Sequence, residues 1–410
     1  MRKMYNHMRN RFVKVTMFGL ALAMSACNSS TSSSDKDEAS EGTAANRETN
    51  TEETYMVYLG TSGEADKENI FIYNLNTQTG ELTPAGAASG GEKPTYLAFS
   101  ENRQFLYAVN EKGDFEGEQS GAVTAFSVDQ QNGQLTMLNQ VASKGTGPCH
   151  VSVDEKNGMV LVANYGGGNV AALPLNQDGA LEAATGVGQH KGSGPNKDRQ
   201  EGPHAHYITP DPAQKFVFAV DLGTDQVLGY RYQDNKLVPN EPAVAYTVKA
   251  GSGPRHMAFH PNGRFAFLIN ELNSTMVALA YDADKGTFSE VQTITTIPAD
   301  FKENNQCSAV KVSSDGKYLY GANRGHNSIV VYAINESTGE LKQVQLASVG
   351  GDWPRDFTID LTGNILLVAN ERSNNLVSFK IDKASGKLTA SGHEVQVEAP
   401  MCPKVVPAFK

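Results

Sequence analysis

Seven strand-like runs recur along the chain, each with a polar residue close to its end: MVYLGT (56–61), FLYAVNE (105–111), VLVANY (160–165), FVFAVDL (216–222), FAFLINE (265–271), YLYGANR (318–324) and LLVANE (366–371). The residue before the last in each is Gly60, Asn110, Asn164, Asp221, Asn270, Asn323 or Asn370. A period of about 50 residues is the length of a propeller blade. Each run is followed by a second alternating strand, such as TMVALAYD (275–282), and then in most repeats by a Gly-x-Leu restart, as in TGEL (79–82) and SGKL (385–388). Most runs are also preceded by a strand that opens on proline: KPTYLAFS, GPCHVSVD, GPHAHYIT, GPRHMAFH and WPRDFTID, with QCSAVKVS standing in that place before YLYGANR. Three strands and a restart make a four-stranded unit, and a helical period of 3.6 is nowhere sustained. The fold class is therefore all-β, a seven-bladed β-propeller. MCPKVVPAF (401–409) is an unpartnered copy of the proline strand. It is expected to complete the first blade and close the ring, leaving no open sheet edge.

Neighbouring antiparallel strands begin and end at the same place. The residue after each proline and the residue after each Asn should therefore meet at one mouth of the central channel. The first ring reads Thr95, Cys149, His204, Arg255, Ser308, Arg355 and Lys404; the second reads Thr61, Glu111, Tyr165, Leu222, Glu271, Arg324 and Glu371. The Asn column holds nearly one residue type, as a structural position does, whereas these two columns vary and are rich in charge. His204, Arg255, Glu271 and Arg324 come from consecutive blades and are the catalytic candidates. Glu111, Arg355, Glu371 and Lys404 are expected to bind substrate. His206, two residues beyond His204 and so on the same side of its strand, joins them. His150 and His256 should alternate to the other face and pack between blades. Cys149 has no activating base beside it and reads as a buried thiol.

The first 53 residues do not read as propeller. Arg2, Lys3, Arg9, Arg11 and Lys14 precede an apolar stretch, 15–24, that ends in Ser25-Ala26-Cys27. This is a basic region, a short apolar core and a small-residue cleavage site, too short for a permanent span. Met24-Ser25-Ala26-Cys27 resembles a bacterial lipobox, which predicts lipidation of Cys27 and an exported, membrane-anchored protein facing the periplasm or cell exterior. Residues 28–53, rich in Ser, Thr, Glu and Asp, cannot bury a core and should form a disordered tether. The propeller domain is expected over residues 54–410. The net charge of −10 argues against nucleic-acid binding. Without Cys27, three widely spaced cysteines remain, neither a disulfide framework nor a zinc pattern. Gly166-Gly167-Gly168 sits in a strand-to-strand turn, where a hairpin explains it better than a dinucleotide. No H-E-x-x-H, Walker loop or G-x-S-x-G elbow occurs. No cofactor or catalytic metal is expected, and contact with a membrane only through the lipid.

GPHAHYITP (202–210), DLGTDQV (221–227), GSGPRHMAFHPNG (251–263), NELNST (270–275), NRGHNS (323–328) and WPRDFTID with VANE (353–360, 368–371) resemble the propeller-type lactonase family. That family includes a bacterial 6-phosphogluconolactonase and the fungal carboxy-cis,cis-muconate lactonising enzyme. The likeness covers nearly all of 55–409. It implies a small-molecule lactone as substrate and a quartet of His204, Arg255, Glu271 and Arg324. His204 or Glu271 would be the general base on water. Arg255 and Arg324 would bind an anionic group and the oxyanion. Lactone hydrolysis on an anionic or sugar-acid lactone is the reading that follows. The alternatives are a muconate-type cycloisomerase, consuming a dienoic acid, and a non-catalytic ligand-binding propeller. A phosphorylated pentose-pathway lactone is a cytoplasmic metabolite that an exported lipoprotein does not meet, so the export signal separates the family from that particular substrate.

Overall fold

The computed structural model describes residues 54–234 and 236–409. The signal segment 1–27 with Cys27 and the tether 28–53 lie outside the described residues. Twenty-eight strands form seven four-stranded antiparallel sheets, the blades of the propeller. The first blade joins β28 (Pro400–Pro407) to β1 (Tyr55–Thr61), so the C-terminal strand is its innermost. Blades 2 to 7 follow in chain order.

The second strand of each blade is a nearly continuous apolar run, as in Met159–Asn164, Val217–Asp221, Phe265–Asn270 and Ile365–Asn370, because both of its faces pack on neighbouring blades. Between blades 4 and 5, Phe218, Val220, Met257, Leu268 and Val277 fill one such layer. Polar latches cross the same interfaces. Tyr58 Oη donates to Gly133 O at 2.6 Å, Tyr107 Oη to Gly179 O at 3.1 Å, and Tyr320 Oη to Gly386 O at 3.0 Å. Each glycine has a positive φ in the outer hairpin of the next blade, which accounts for the Gly-x-Leu restart.

The Asn column has an equally local cause. Asn110 Nδ2 donates to Gly90 O at 2.7 Å, Asn164 Nδ2 to Ser143 O at 2.9 Å, Asn323 Nδ2 to Thr296 O at 3.0 Å and Asn370 Nδ2 to Val349 O at 3.2 Å. Every acceptor lies in the loop that brings the chain into that blade. The amide therefore ties down the crossing loop where it turns toward the channel.

Candidate active site

The inner strands carry a bulge at the channel mouth. In β16 (Pro254–Phe259), Pro254 lies opposite Asn270 and His256 opposite Ile269, which leaves Arg255 as the extra residue. The same step leaves Cys149 extra in β8 (Pro148–Asp154) and Arg355 in β24 (Pro354–Ile359). A bulge lets two successive residues turn to one side. His256 and His150 therefore enter the channel, where their rings lie 5.7 Å apart, and they do not face between blades as strict alternation predicts.

Two ring members differ from the sequence expectation. In β12 (Ala205–Pro210), Ala205 lies opposite Asp221 and Tyr207 opposite Val220, so the bulge residue is His206 and not His204. The extra residue between Pro203 and Ala205 shifts the register. In β28, Pro400 lies opposite Thr61 and Cys402 opposite Gly60, which puts Met401 in the ring. Lys404 lies opposite Tyr58, deeper in the channel, with Nζ 4.4 Å from the centre of the Tyr96 ring. It is not a mouth residue; Pro400, not Pro403, is the counterpart of the other prolines.

Glu271 is the hub of the site. Its Oε2 lies 3.0 Å from Arg255 Nε and 2.7 Å from Arg324 Nη2, and its Oε1 lies 2.5 Å from Arg199 Nη2. Arg255, Glu271 and Arg324 are almost fully buried. Burial alone would raise the Glu271 pKa, but Arg324, Arg255 and Arg199 hold the carboxyl at about 2. The arginines have further commitments. Arg255 Nη1 donates to Ser308 O and, at 3.2 Å, to His256 Nε2. Arg324 Nε donates to Gln306 O at 3.1 Å. Burial lowers the Arg255 pKa to about 9, with Arg355 and Arg324 adding to the fall. Protein interiors do not strip protons from a guanidinium so readily. The geometry, with Nε against a carboxylate, is that of a charged arginine.

Arg199 arrives from outside the repeat. The connection from β11 (Gly186–Gln189) to β12 is a strap across the mouth, pinned by Asp221. Oδ2 of Asp221 accepts from His190 Nδ1 at 2.5 Å, and Oδ1 accepts from His204 N at 3.0 Å. Gln200 Nε2 adds a bond to Leu222 O at 2.8 Å. Gly223 lets the strap pass, since a Cβ there would collide with Gly202 O.

The two histidines of GPHAH have separate surroundings. His204 stacks on Tyr165 with centroids 4.4 Å apart, and its ring nitrogens face Tyr165 O and Glu201 Oε1, each at 3.0 Å. Both ring nitrogens are thus turned to protein oxygens, and neither is left to face a substrate. His206 is buried in the ring, with Nδ1 3.6 Å from Cys149 Sγ. Burial, followed by the positive fields of Arg255 and Arg355, holds its pKa well below the ordinary value. Its imidazole is neutral at neutral pH. Burial likewise pushes the Cys149 thiol up to about 12, as a packed thiol requires.

Arg355, Glu111 and Glu371 complete the mouth on the other side. Burial lowers the Arg355 pKa, but the nearby Glu111 and Glu371 reverse this and raise it. Thr95 Oγ1 donates to Glu111 Oε2 at 2.7 Å. Among the described residues no group of three or more His, Cys, Asp or Glu side chains converges as metal ligands would.

The family model described as "Lactonase, 7-bladed beta-propeller" matches residues 56–405. The chain belongs to this lactonase family. As a member it is a lactone hydrolase. It is 40% identical to the 6-phosphogluconolactonase of Bacillus subtilis over 85% of this chain and 98% of that one. The solved structure of the Pseudomonas aeruginosa periplasmic gluconolactonase is 32% identical, with a TM-score of 0.81 over 87% of this chain and all (100%) of the other. A Lactobacillus plantarum structure is 35% identical, with a TM-score of 0.79 over 86% and 99% of the two chains. The lactonase thus brings Arg255, Glu271 and Arg324 into contact, seats His206 where His204 was expected, and adds Arg199. No repeat position gives Arg199; the only sign of it is a long polar insertion before GPHAH.

Proposed function

We propose that this lactonase hydrolyses a sugar-acid or otherwise anionic lactone at the mouth, with His206 as general base. The observation that carries this is a neutral, buried imidazole on the same ring of residues as Arg255 and Arg355. A carboxylate held at about 2 by three arginines is a poor base, so Glu271 instead fixes those arginines. Water loses a proton to His206 as its oxygen bonds to the lactone carbonyl carbon. The oxyanion is stabilised by the guanidinium charges. The ring C–O bond then breaks, and the alkoxide takes the proton back from the imidazolium. The outcome is a hydroxy acid. The Bacillus relative's name supports a 6-phosphogluconolactone and the Pseudomonas relative's supports gluconolactone.

The N-terminal segment belongs to the same reading. Residues 1–27 form a lipoprotein signal with Cys27 as the lipidated residue, 28–53 a tether, and 54–410 the catalytic propeller. An exported enzyme anchored only by lipid meets unphosphorylated lactones, which favours that substrate class. The test is acid release by the purified protein from a panel of sugar lactones, phosphorylated and not. Hydrolysis of none of them overturns the reading. Incorporation of labelled palmitate, lost in Cys27→Ser, tests the anchor.

A further inference from the structure

The mouth has two unlike walls. Toward blades 4 to 6, the charged groups are already engaged with one another through Glu271. Toward blades 7, 1, 2 and 3, they are not. Among the described residues the Arg355 and Glu371 side chains have no hydrogen bond or ion pair, and Glu111 is bonded only by Thr95.

Beneath this second wall lies a cavity of about 10 Å³, room for a single oxygen-sized group. Arg355, Thr95 and Cys149 line it from the ring together with Arg255 of the first wall, and His256 and Asp356 from the layer below. Two buried atoms of that lower layer, His256 Nδ1 and Asp356 Oδ2, lack partners, although each residue is only 2% exposed. Their polarity is fixed by chemistry. Arg255 Nη1 can only donate, so His256 Nε2 accepts and the proton of the neutral ring sits on Nδ1. Asp356 Oδ2 is an acceptor. A buried unmet donor and a buried unmet acceptor, on two residues that line one small cavity, are costly to leave bare. Both are satisfied by a group that accepts and donates through one oxygen, as a hydroxyl does. Phosphate is acceptor-rich and doubly charged, and the Glu111 and Glu371 carboxylates, neither paired with a cation among the described residues, repel it.

We propose that the wall formed by Arg355, Glu111, Glu371, His256 and Asp356 is a hydroxyl-recognising subsite for the polyhydroxylated part of an unphosphorylated sugar lactone. The inference rests on the lactonase mechanism above for its choice of substrate and shares Arg355 with it; Glu111, Glu371, His256 and Asp356 take no part in that mechanism. A water occupying the cavity with no role in recognition is the competing outcome.

The test is calorimetric binding to the full-length protein of lactams, which keep the ring and do not hydrolyse. Gluconolactam carries the hydroxyls, δ-valerolactam carries none, and 6-phosphogluconolactam adds the phosphate. The wild type is expected to favour gluconolactam over δ-valerolactam at least 100-fold. Glu111→Gln and Glu371→Gln, both at the accessible mouth, should each lower that ratio about tenfold, as expected for a hydrogen bond to a charged group. Asp356→Asn should lower it similarly; should that variant fail to fold, the two mouth variants still decide. The phosphorylated lactam should bind no tighter than gluconolactam. An unchanged ratio in both Glu variants overturns the subsite, as does tenfold tighter binding of the phosphorylated lactam or no binding of gluconolactam by the wild type. Turnover is read separately. A protein that hydrolyses lactones with its preference untouched by these substitutions loses only the subsite, whereas one that hydrolyses none but discriminates lactams loses only the mechanism.

Discussion

Blades 5 and 7 carry the same pair at the same two repeat positions, Arg255 with Glu271 and Arg355 with Glu371. In blade 5 the pair is closed, 3.0 Å apart, with both side chains 2% exposed. In blade 7 the two side chains remain unpaired and partly open to the mouth. What closes the first pair is its neighbourhood: Arg324 from the next blade and Arg199 from the strap. The repeat supplies the residue type, and the adjoining elements decide whether its charge is used up internally or kept for a ligand. An arginine in a channel is therefore not a substrate ligand by position alone.

The comparison breaks most easily at the two carboxylates. Glu271→Gln leaves Arg255 and Arg324 buried without a counter-charge and should cost about 3–5 kcal/mol of stability, as removal of one partner of a buried pair does. Glu371→Gln should change stability by less than about 0.5 kcal/mol. Urea titrations of the two variants measure this, and equal losses would erase the distinction between the walls. For the chemistry, His206→Asn should lower kcat/KM by about 10²–10⁴-fold, and His204→Asn by less than about tenfold. The reverse order would restore His204 as the base.

Acid sharpens the contrast further. The buried His150, His206 and His256 have pKa values well below the ordinary one. Their stabilising contribution is complete above the unfolded value, about 6.5, and is lost as pH falls below it, since the unfolded chain takes up the protons first. Three such groups give a slope approaching about 4 kcal/mol per pH unit. Glu271 acts in a separate, lower window. Its pKa of about 2 lies below the unfolded value near 4.3, so its contribution is present above 4.3 and lost toward 2. Stability measured from pH 7 to pH 5 should therefore fall already with Glu271 ionised; a flat profile there would contradict buried neutral histidines. The same shift in His206 predicts kcat/KM without an acid limb between pH 8 and 6.5. A modest effect, about 0.5–1 kcal/mol in the same urea titrations, is expected from Arg199→Ala, because this strap arginine remains one-third exposed, at 32%.

The repeat was legible because the Asn amides and the inter-blade tyrosines do the same work in blade after blade. Arg255, Glu271 and Arg324 were legible because their strands keep the common register. The bulge was not visible, and it is what turns His150 and His256 into the channel. Alignment on proline misplaced two residues. Counting back two from the buried residue at the corresponding place in each inner strand, Leu97, Val151, Ile208, Met257, Val310, Phe357 or Pro403, gives His206 and Met401 directly. The buried apolar side chain marks register more faithfully than the proline, because burial punishes a one-residue slip while a loop absorbs it. Arg199 lies in a connection outside the period, and no count within the repeat reaches it.

The pairing of β1 with β28 also sets a timetable. Residues 55–61 wait for partners at 400–407, and Ala408 N donates to Thr54 O at 2.8 Å only once the whole propeller has been made. On a ribosome the other six blades can be completed in order while the first remains one strand short. The ring therefore closes last, through the contacts of longest sequence separation, the slowest kind to form. Until then Tyr58 and its neighbours present an unpaired edge, so the nascent protein is most open to a chaperone or a protease before residues 400–407 can pair.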